Sequence, residues 1–118
     1  MASADQFPFL THARADHSVL VIRVTSDHFE LDEAQSLSRL VFESTDGQSP
    51  RILLNFAGVK YINSTGVSLL VRIGTERELR VVHLNPNVIR VMDSIGILAL
   101  LQIHRSEREA MEAFGNGA

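Results

Sequence analysis

The chain has 118 residues, of which 45% are hydrophobic and 21% are charged, as is typical of one soluble globular domain. The chain has no cysteine, which excludes a disulfide scaffold and a thiolate metal site. Its net charge of -3 argues against direct binding of nucleic acid. The first residues lack a signal-peptide pattern, and no apolar run reaches the about 18 residues that span a bilayer, so we expect a cytoplasmic protein without membrane insertion.

The first half of the chain is predicted to form three strands and one helix. Phe7–Ala13 and Val19–Thr25 suit two strands joined by a polar turn, and Ile52–Phe56 suits a further buried strand. The helical pattern begins at Asp32, the predicted N-cap, with Gln35 as its capping-box partner. Three charged residues of this helix are assigned to its solvent-facing side: Glu33, Arg39 and Glu43.

In the second half of the chain, predicted strands continue to alternate with predicted helices. Its predicted elements are an extended pair at 61–62, a helix at 67–73, a strand at 79–84, a helix at 87–94 and a strand at 100–104. Pro86 suits the first helical position, Gly96 ends that helix, and Ser106 with Glu109 forms the capping box of a closing helix. The apolar run Gly96–Leu101 is predicted to enter the last buried strand, with an exposed contact surface as the alternative. This order predicts an α/β fold with a mixed sheet.

The tetrapeptide Asn63-Ser64-Thr65-Gly66 precedes the apolar helix of the second half. A helix N-terminus exposes unpaired N–H groups and a partial positive charge, so the Ser64 hydroxyl can cap the helix, and a phosphate on Ser64 would be stabilised there. Gly66 permits a close backbone approach by a partner or a phosphate. A serine before an apolar helix is most often a plain cap, so the tetrapeptide alone leaves both interpretations open.

The longer segment Ile52–Ile73 resembles the central signature of STAS domains, in which a strand ends in Asp-Leu-Ser or a similar triplet and a turn leads to Asp-Ser-Ser/Thr-Gly-Leu/Val. Asn55–Val59 stands at the first part of that signature, and Ile62–Val67 stands at the second. Weaker similarity extends over Val19–Phe114. The resemblance implies a STAS-like α/β domain with a mixed four- to five-stranded sheet and about four helices packed mainly on one face.

Within this family the chain resembles the anti-sigma factor antagonists. A single domain is implied over residues 1–118, frayed at 1–6 and 115–118. Ser64 matches the serine that is phosphorylated in those proteins, and Thr65 is the alternative. The implied partner-binding residues are Asn63, Ser64, Thr65, Gly66, Val67 and Asp32. No catalytic residue, metal or cofactor is expected.

The resemblance implies a partner-switching cycle. The unmodified protein binds an anti-sigma factor and so releases a sigma factor. The anti-sigma factor carries a HATPase-type kinase domain that phosphorylates the serine, which ends the complex, and a PP2C-type phosphatase resets the cycle. A homodimer is left open.

Departures from the family pattern support a second hypothesis. Asn63 stands where the family has Asp, Asn55 is a candidate for the same replacement, and Phe29–Asp32 lacks the Gly of the family's Gly-Glu-Leu-Asp. The segment 72–80 is also shorter than is typical. These changes motivate a scaffold or accessory STAS protein that is not switched, in a signalling assembly or beside a lipid ABC transporter. A serine hydrolase and a metal enzyme are disfavoured, because neither a Gly-x-Ser-x-Gly elbow nor an HExxH motif is present. A nucleotide binder is disfavoured because neither Gly58 nor Gly74 belongs to a Walker or dinucleotide loop.

Overall fold

The computed structural model describes residues 7–14, 19–43 and 51–116. In this part of the chain, strands alternate with helices after an antiparallel pair. The strands are β1 (Leu10–Arg14), β2 (Val19–Val24), β3 (His28–Phe29), β4 (Arg51–Asn55), β5 (Tyr61–Ile62), β6 (Leu79–Val82) and β7 (Gln102–His104). The helices are α1 (Leu31–Glu43), α2 (Ser64–Glu76), α3 (Pro86–Ile95) and α4 (Glu107–Asn116), with a 3-10 turn at Leu98–Leu100.

The main sheet has the order β1-β2-β4-β6-β7, and β3 and β5 form a separate two-stranded sheet. Strand β1 is antiparallel to β2, and the other neighbours in the main sheet are parallel. The register places Leu20 opposite Ile52 and Leu54 opposite Val81. The predicted mixed sheet is therefore confirmed. Residues 15–18, where the polar turn of the first hairpin is predicted, lie outside the described residues.

Helices cover both faces of the main sheet, because successive side chains of a strand point to opposite sides. The larger core lies between one face and α1, α2 and α3. The smaller core lies under α4, where Ala110 and Phe114 pack on Val19, Leu53 and Val82. The prediction that the helices pack mainly on one face is confirmed, with α4 on the other. No helix among the described residues is long and apolar enough to span a bilayer.

The start of α1 differs from the prediction. The carbonyl of Glu30 accepts the amide of Ala34 at 2.8 Å, and the Glu33 carboxylate accepts the amide of Glu30 at 3.0 Å. Glu30 is therefore the N-cap, and the predicted pair of Asp32 with Gln35 is wrong. Glu33 is only 2% exposed, so its assignment to the solvent-facing side is wrong as well. Its carboxylate lies inside because it caps the helix start.

The apolar run Gly96–Leu101 does not enter a buried strand. It contains the 3-10 turn, in which no residue is buried, and Leu100 is 66% exposed. Gly96 ends α3 in the left-handed region at φ 82°, with its amide bonded to the carbonyls of Asp93 and Met92. This sharp exit leaves β7 to begin only at Gln102. Ile97, Leu98 and Leu101 are partly buried against the larger core, so the run is exposed only in part. The alternative that part of it is a contact surface stays a prediction.

The other predicted helix boundaries are largely confirmed. Pro86 is the first residue of α3, and the Ser106 hydroxyl accepts the amide of Glu109 at 3.1 Å. The Glu109 carboxylate accepts the amide of Arg105 rather than that of Ser106. Helix α2 is longer than predicted and is joined to β6 by only two residues, so the short segment 72–80 reflects a tight loop.

Candidate functional site

The small sheet places two helix starts side by side. Strands β3 and β5 are parallel, with His28 opposite Tyr61 and Phe29 opposite Ile62. Phe29 and Ile62 point into the core, at 0% and 9% exposure. Because α1 begins two residues after Phe29 and α2 begins two residues after Ile62, the N-termini of both helices lie at the same edge of the molecule.

Asn63, and not Ser64, caps helix α2. The Asn63 side-chain oxygen accepts the amide of Gly66 at 3.1 Å, and its carbonyl accepts the amide of Val67 at 3.0 Å. Asn63 is extended, with φ -117° and ψ -178°, as is usual for an N-cap. Ser64 is therefore the first helical residue, and its exposed hydroxyl has no hydrogen-bond partner in the described part of the chain. The interpretation of Ser64 as a plain cap is wrong.

Gly66 is required by the packing of the chain against itself. A Cβ atom at Gly66 would lie 2.7 Å from Cδ2 of Phe29 and closer still to the Phe29 carbonyl oxygen. Real Cβ atoms do not approach other atoms so closely. The space that the sequence analysis assigned to a partner or a phosphate is thus occupied by Phe29 of β3, and this contact holds the first turn of α2 against the small sheet.

The predicted partner-binding residues divide into exposed and buried positions. Gly66 and Val67 are buried, with Val67 at 5% exposure, so these two can only support a surface from beneath. The exposed members are Asn63, Ser64, Thr65 and Asp32. Asp32 lies in the first turn of α1, at the helix start that the small sheet places beside α2.

Two exposed apolar residues adjoin these positions and were missed by the sequence analysis. Leu31, the first residue of α1, is 54% exposed, and Tyr61 in β5 is 57% exposed. Neither gives a signal in the sequence, because apolar residues at strand and helix boundaries are normally assigned to the core. We call the set of Leu31, Asp32, Tyr61, Asn63, Ser64 and Thr65 the Ser64 surface. These residues bring apolar area to the surface that carries the Ser64 hydroxyl.

A charged cluster adjoins the Ser64 surface at Tyr61, which is the strand partner of His28. Nδ1 of His28 is 2.8 Å from Oδ1 of Asp27, and Nε2 of His28 is 3.1 Å from Oε2 of the buried Glu33. The hydrogen bond that protonated His28 donates to Asp27, together with the negative charge of Glu33, raises the pKa of His28 above its usual value. The same hydrogen bond lowers the pKa of Asp27. The Asp27 carbonyl also accepts the amides of Lys60 and Tyr61, so the cluster joins β3 to β5.

We predict a pH-dependent contribution of His28 to stability. A raised pKa in the folded protein means that the contribution is fully present below the usual value of 6.5 and is lost as the pH rises through the raised pKa. Urea titrations should show the free energy of unfolding falling more steeply above neutral pH in the wild type than in His28→Gln. The groups facing His28 that set this dependence are Asp27, Glu33 and Glu30. Parallel pH profiles of the two proteins would contradict the prediction.

Asn55 has a structural reason to be an amide. It is 6% exposed, its Nδ2 donates to Oε2 of Glu107 at 2.6 Å, and its Oδ1 accepts the amide of Ala57 at 2.8 Å. Arg23 contacts the same Glu107 oxygen at 3.1 Å. The amide therefore attaches the first turn of α4 to the end of β4. An aspartate here would face a carboxylate, so Asn55 is explained by Glu107 and says nothing about switching.

Asn55→Asp is expected to lower the free energy of unfolding at neutral pH by about 1–3 kcal/mol, because a buried hydrogen bond is replaced by two facing carboxylates. The double variant Asn55→Asp/Glu107→Gln reverses the donor and the acceptor, and it should recover most of the loss. Urea denaturation of the four proteins of this cycle measures the coupling. A double variant no more stable than Asn55→Asp alone would contradict the assignment.

Comparisons with known proteins bear on this site and on the fold. The STAS domain family model matches residues 11–110. A comparison with curated protein sequences finds no match. Within the described residues, no group of His, Cys, Asp or Glu side chains could hold a metal ion.

Three solved structures are similar to this chain. An anti-sigma factor antagonist (STAS) domain protein of Planctomyces limnophilus is 18% identical with a TM-score of 0.74, over 90% of this chain and 97% of that one. The Bacillus cell fate determinant SpoIIAA in its phosphorylated form is 16% identical with a TM-score of 0.66, over 89% and 98%. The murine Solute Carrier 26 family member A9 anion transporter is 13% identical with a TM-score of 0.70, over 90% of this chain and 19% of the transporter. At these identities the likeness shows the fold.

Proposed function

Because the chain belongs to the STAS domain family, we propose that it is an anti-sigma factor antagonist that binds an anti-sigma factor through the Ser64 surface and is released when Ser64 is phosphorylated. The observation that carries this proposal is the cap of α2. Asn63 satisfies the amide of Gly66, which leaves the Ser64 hydroxyl exposed and unbonded at the first helical position. A serine that capped the helix itself would be a poorer substrate, because its hydroxyl would be engaged.

A phosphate on Ser64 is chemically compatible with this position. The backbone amides of Ser64 and Thr65 have no partner in the described part of the chain, since the Asn63 cap uses those of Gly66 and Val67. Free amides and the positive end of the helix dipole favour a group of nearly two negative charges. The modified protein should therefore stay folded, as a reversible switch requires.

The same phosphate would dissociate the complex with the anti-sigma factor. In the unmodified protein, Leu31 and Tyr61 offer apolar area beside the neutral Ser64 hydroxyl. A partner that covers them would have to remove water from the phosphate, which is costly when no cation on the partner compensates. The exposed Asp32 carboxylate adds a second negative charge at the same edge. Phosphorylation thus converts a partly apolar surface into a strongly anionic one.

The proposed partner is an anti-sigma factor with a HATPase-type kinase domain, and a PP2C-type phosphatase would remove the phosphate. The likeness to SpoIIAA in its phosphorylated form and to an anti-sigma factor antagonist domain protein supports an anti-sigma factor as the partner, and the kinase and phosphatase types are part of the proposal. The chain acts in this cycle as substrate and binding partner, and not as an enzyme.

Substitution of Ser64 tests the proposal. With an anti-sigma kinase of the source organism, the wild type and Ser64→Ala should form a complex measurable by calorimetry, and Ser64→Asp should bind at least about tenfold more weakly, a change of about 1.4 kcal/mol. Incubation with the kinase and ATP should add one phosphate to the wild type and none to Ser64→Ala. Ser94→Asp, which adds the same charge at an exposed position of α3, should bind like the wild type. Complex formation by Ser64→Asp at full affinity would overturn the switch.

The alternative is a STAS scaffold or accessory protein that is not switched, and the likeness to a transporter favours it. Asn63 motivated this alternative, yet Asn63 makes the cap that an aspartate would also make. The variant Asn63→Asp therefore keeps the geometry and adds only the charge. Faster phosphorylation of Asn63→Asp would show that the lost charge slows the kinase, whereas the absence of phosphate on both proteins would favour the scaffold.

A further inference from the structure

A cavity of about 340 Å³ lies at the carboxyl ends of β6 and β7, outside the Ser64 surface. These two strands are parallel neighbours, but the helices that follow them leave on opposite faces of the sheet. Helix α3 contributes to the larger core and α4 to the smaller core. Adjacent parallel strands whose connections diverge in this way open a crevice at the carboxyl edge, and small molecules bind α/β proteins at such crevices.

The wall of the cavity combines aliphatic side chains with two imidazole rings and one guanidinium group. Its lining residues are Leu84, Ile89, Ile103, His83, His104 and Arg105. No acidic residue is among them. The Arg105 side chain is exposed, and its guanidinium has no partner in the residues that the structure describes. A free guanidinium beside aliphatic side chains is suited to an anion that carries a hydrocarbon part.

His104 forms a fixed part of this wall. Nη1 of Arg80 lies 2.9 Å from Nε2 of His104, and Nδ1 of His104 lies 3.3 Å from Oε1 of Glu109. A guanidinium can only donate, so Nε2 carries the lone pair and Nδ1 carries the proton. Both ring nitrogens are thus engaged, and His104 contributes shape rather than charge. The Glu109 carboxylate is likewise occupied, by His104 and by the amide of Arg105 at 3.2 Å.

His83 adds a second polar group at the exposed side of the cavity. It has φ 61°, in the left-handed region that non-glycine residues enter only at an energetic cost. This conformation turns the chain between β6 and the start of α3, and the exposed His83 lines the cavity there. Backbone strain of this kind is concentrated at ligand-binding sites.

We propose that this cavity binds a small organic carboxylate. The carboxylate pairs with Arg105, whose planar fork matches its two oxygens, and with His83. The hydrocarbon part packs on Leu84, Ile89 and Ile103. A volume of about 340 Å³ is near the lower end of the range for pockets that bind drug-sized molecules, so the site has room for a short-chain carboxylate. The site is separate from Ser64 and does not depend on the proposed phosphorylation.

Titration of the full chain with 3-methylbutanoate, followed by amide NMR, tests this site. Saturable shifts are expected at the amides of residues 83–84 and 103–105, with the neutral 3-methylbutanol at least about tenfold weaker. Arg105→Gln should weaken carboxylate binding at least about tenfold. Arg108→Gln is the matched control, because it removes the same charge from a side chain of α4 that is 89% exposed and outside the cavity, and it should bind like the wild type.

Four outcomes would overturn the proposal. The first two are the absence of saturable shifts and shifts confined to other regions of the protein. The third is an equal loss of carboxylate binding in Arg105→Gln and Arg108→Gln. The fourth is inorganic phosphate that binds as tightly as the carboxylate. The last result would indicate an anion patch without use of the apolar wall. Ser64→Ala should retain carboxylate binding, so failure of the switch and failure of this site are distinguishable.

Discussion

Gly66→Ala is expected to lower the free energy of unfolding by about 2–3 kcal/mol. The added Cβ would lie 2.7 Å from Cδ2 of Phe29 and closer to the Phe29 carbonyl oxygen. A side chain can rotate away, but the carbonyl belongs to β3, which is held by its pairing with β5. Helix α2 must therefore shift from the small sheet. Alanine is a better helix former than glycine by about 1 kcal/mol, so the expected loss of unfolding free energy comes from packing and not from helix propensity.

Gly74 offers a matched control in the same helix. A Cβ there would meet only Cδ2 of Leu79, at 4.0 Å, which is ordinary van der Waals contact. Gly74→Ala should therefore raise the free energy of unfolding by up to about 1 kcal/mol. Urea denaturation of both variants measures the two effects, which have opposite signs. If both variants were stabilised, the close approach of Phe29 to α2 would be disproved.

The shift of α2 has a functional consequence under the proposed switch. Ser64 and Asn63 lie in the turn that the Gly66 contact holds in place. A displaced helix start would move the hydroxyl relative to Leu31 and Tyr61, so Gly66→Ala should also bind the anti-sigma factor more weakly than Gly74→Ala. Because Gly66 is buried, such a loss reports geometry and not a lost contact with the partner.

Phe114→Ala is expected to cost about 3–5 kcal/mol of unfolding free energy. The ring is 1% exposed and belongs to the smaller core. Two guanidinium groups lie over the ring, with the Cζ atoms of Arg51 and Arg80 at 5.3 and 5.0 Å from the ring centroid. Arg51 also donates to the Phe114 carbonyl at 2.7 Å. Within the smaller core, only Ala110, Met111 and Phe114 come from α4, so loss of the ring removes most of the apolar contact of that helix.

Phe114→Leu separates apolar volume from the interaction with the cations. Leucine retains most of the buried hydrocarbon, so only the ring–guanidinium attraction and some packing are lost, together about 1–2 kcal/mol. Met111→Ala, at a partly buried position of the same helix, should cost less than Phe114→Ala. Urea denaturation measures the loss of unfolding free energy in each variant, and hydrogen exchange of the α4 amides measures the local opening of that helix. A loss below about 1 kcal/mol in Phe114→Ala would show that α4 is held by other contacts.

The sequence by itself determined the order of the strands and helices, apart from the two-residue strand β3, and the place of Ser64 at a helix start. These features depend on neighbours a few residues apart, such as the apolar spacing of α2, the proline that opens α3 and the glycine that ends it. The family resemblance also followed from a short continuous stretch, and the STAS family match over residues 11–110 confirms it.

Only the tertiary structure decided which side chains meet across the fold. Asn55 contacts Glu107 over a separation of 52 residues, and Phe29 fills the space beside Gly66 from another element. The burial of Glu33 and the exposure of Leu31 and Tyr61 also depend on how the small sheet sets two helices beside each other. Local periodicity carries no information on these contacts, because they arise from the relative placement of elements distant in the chain.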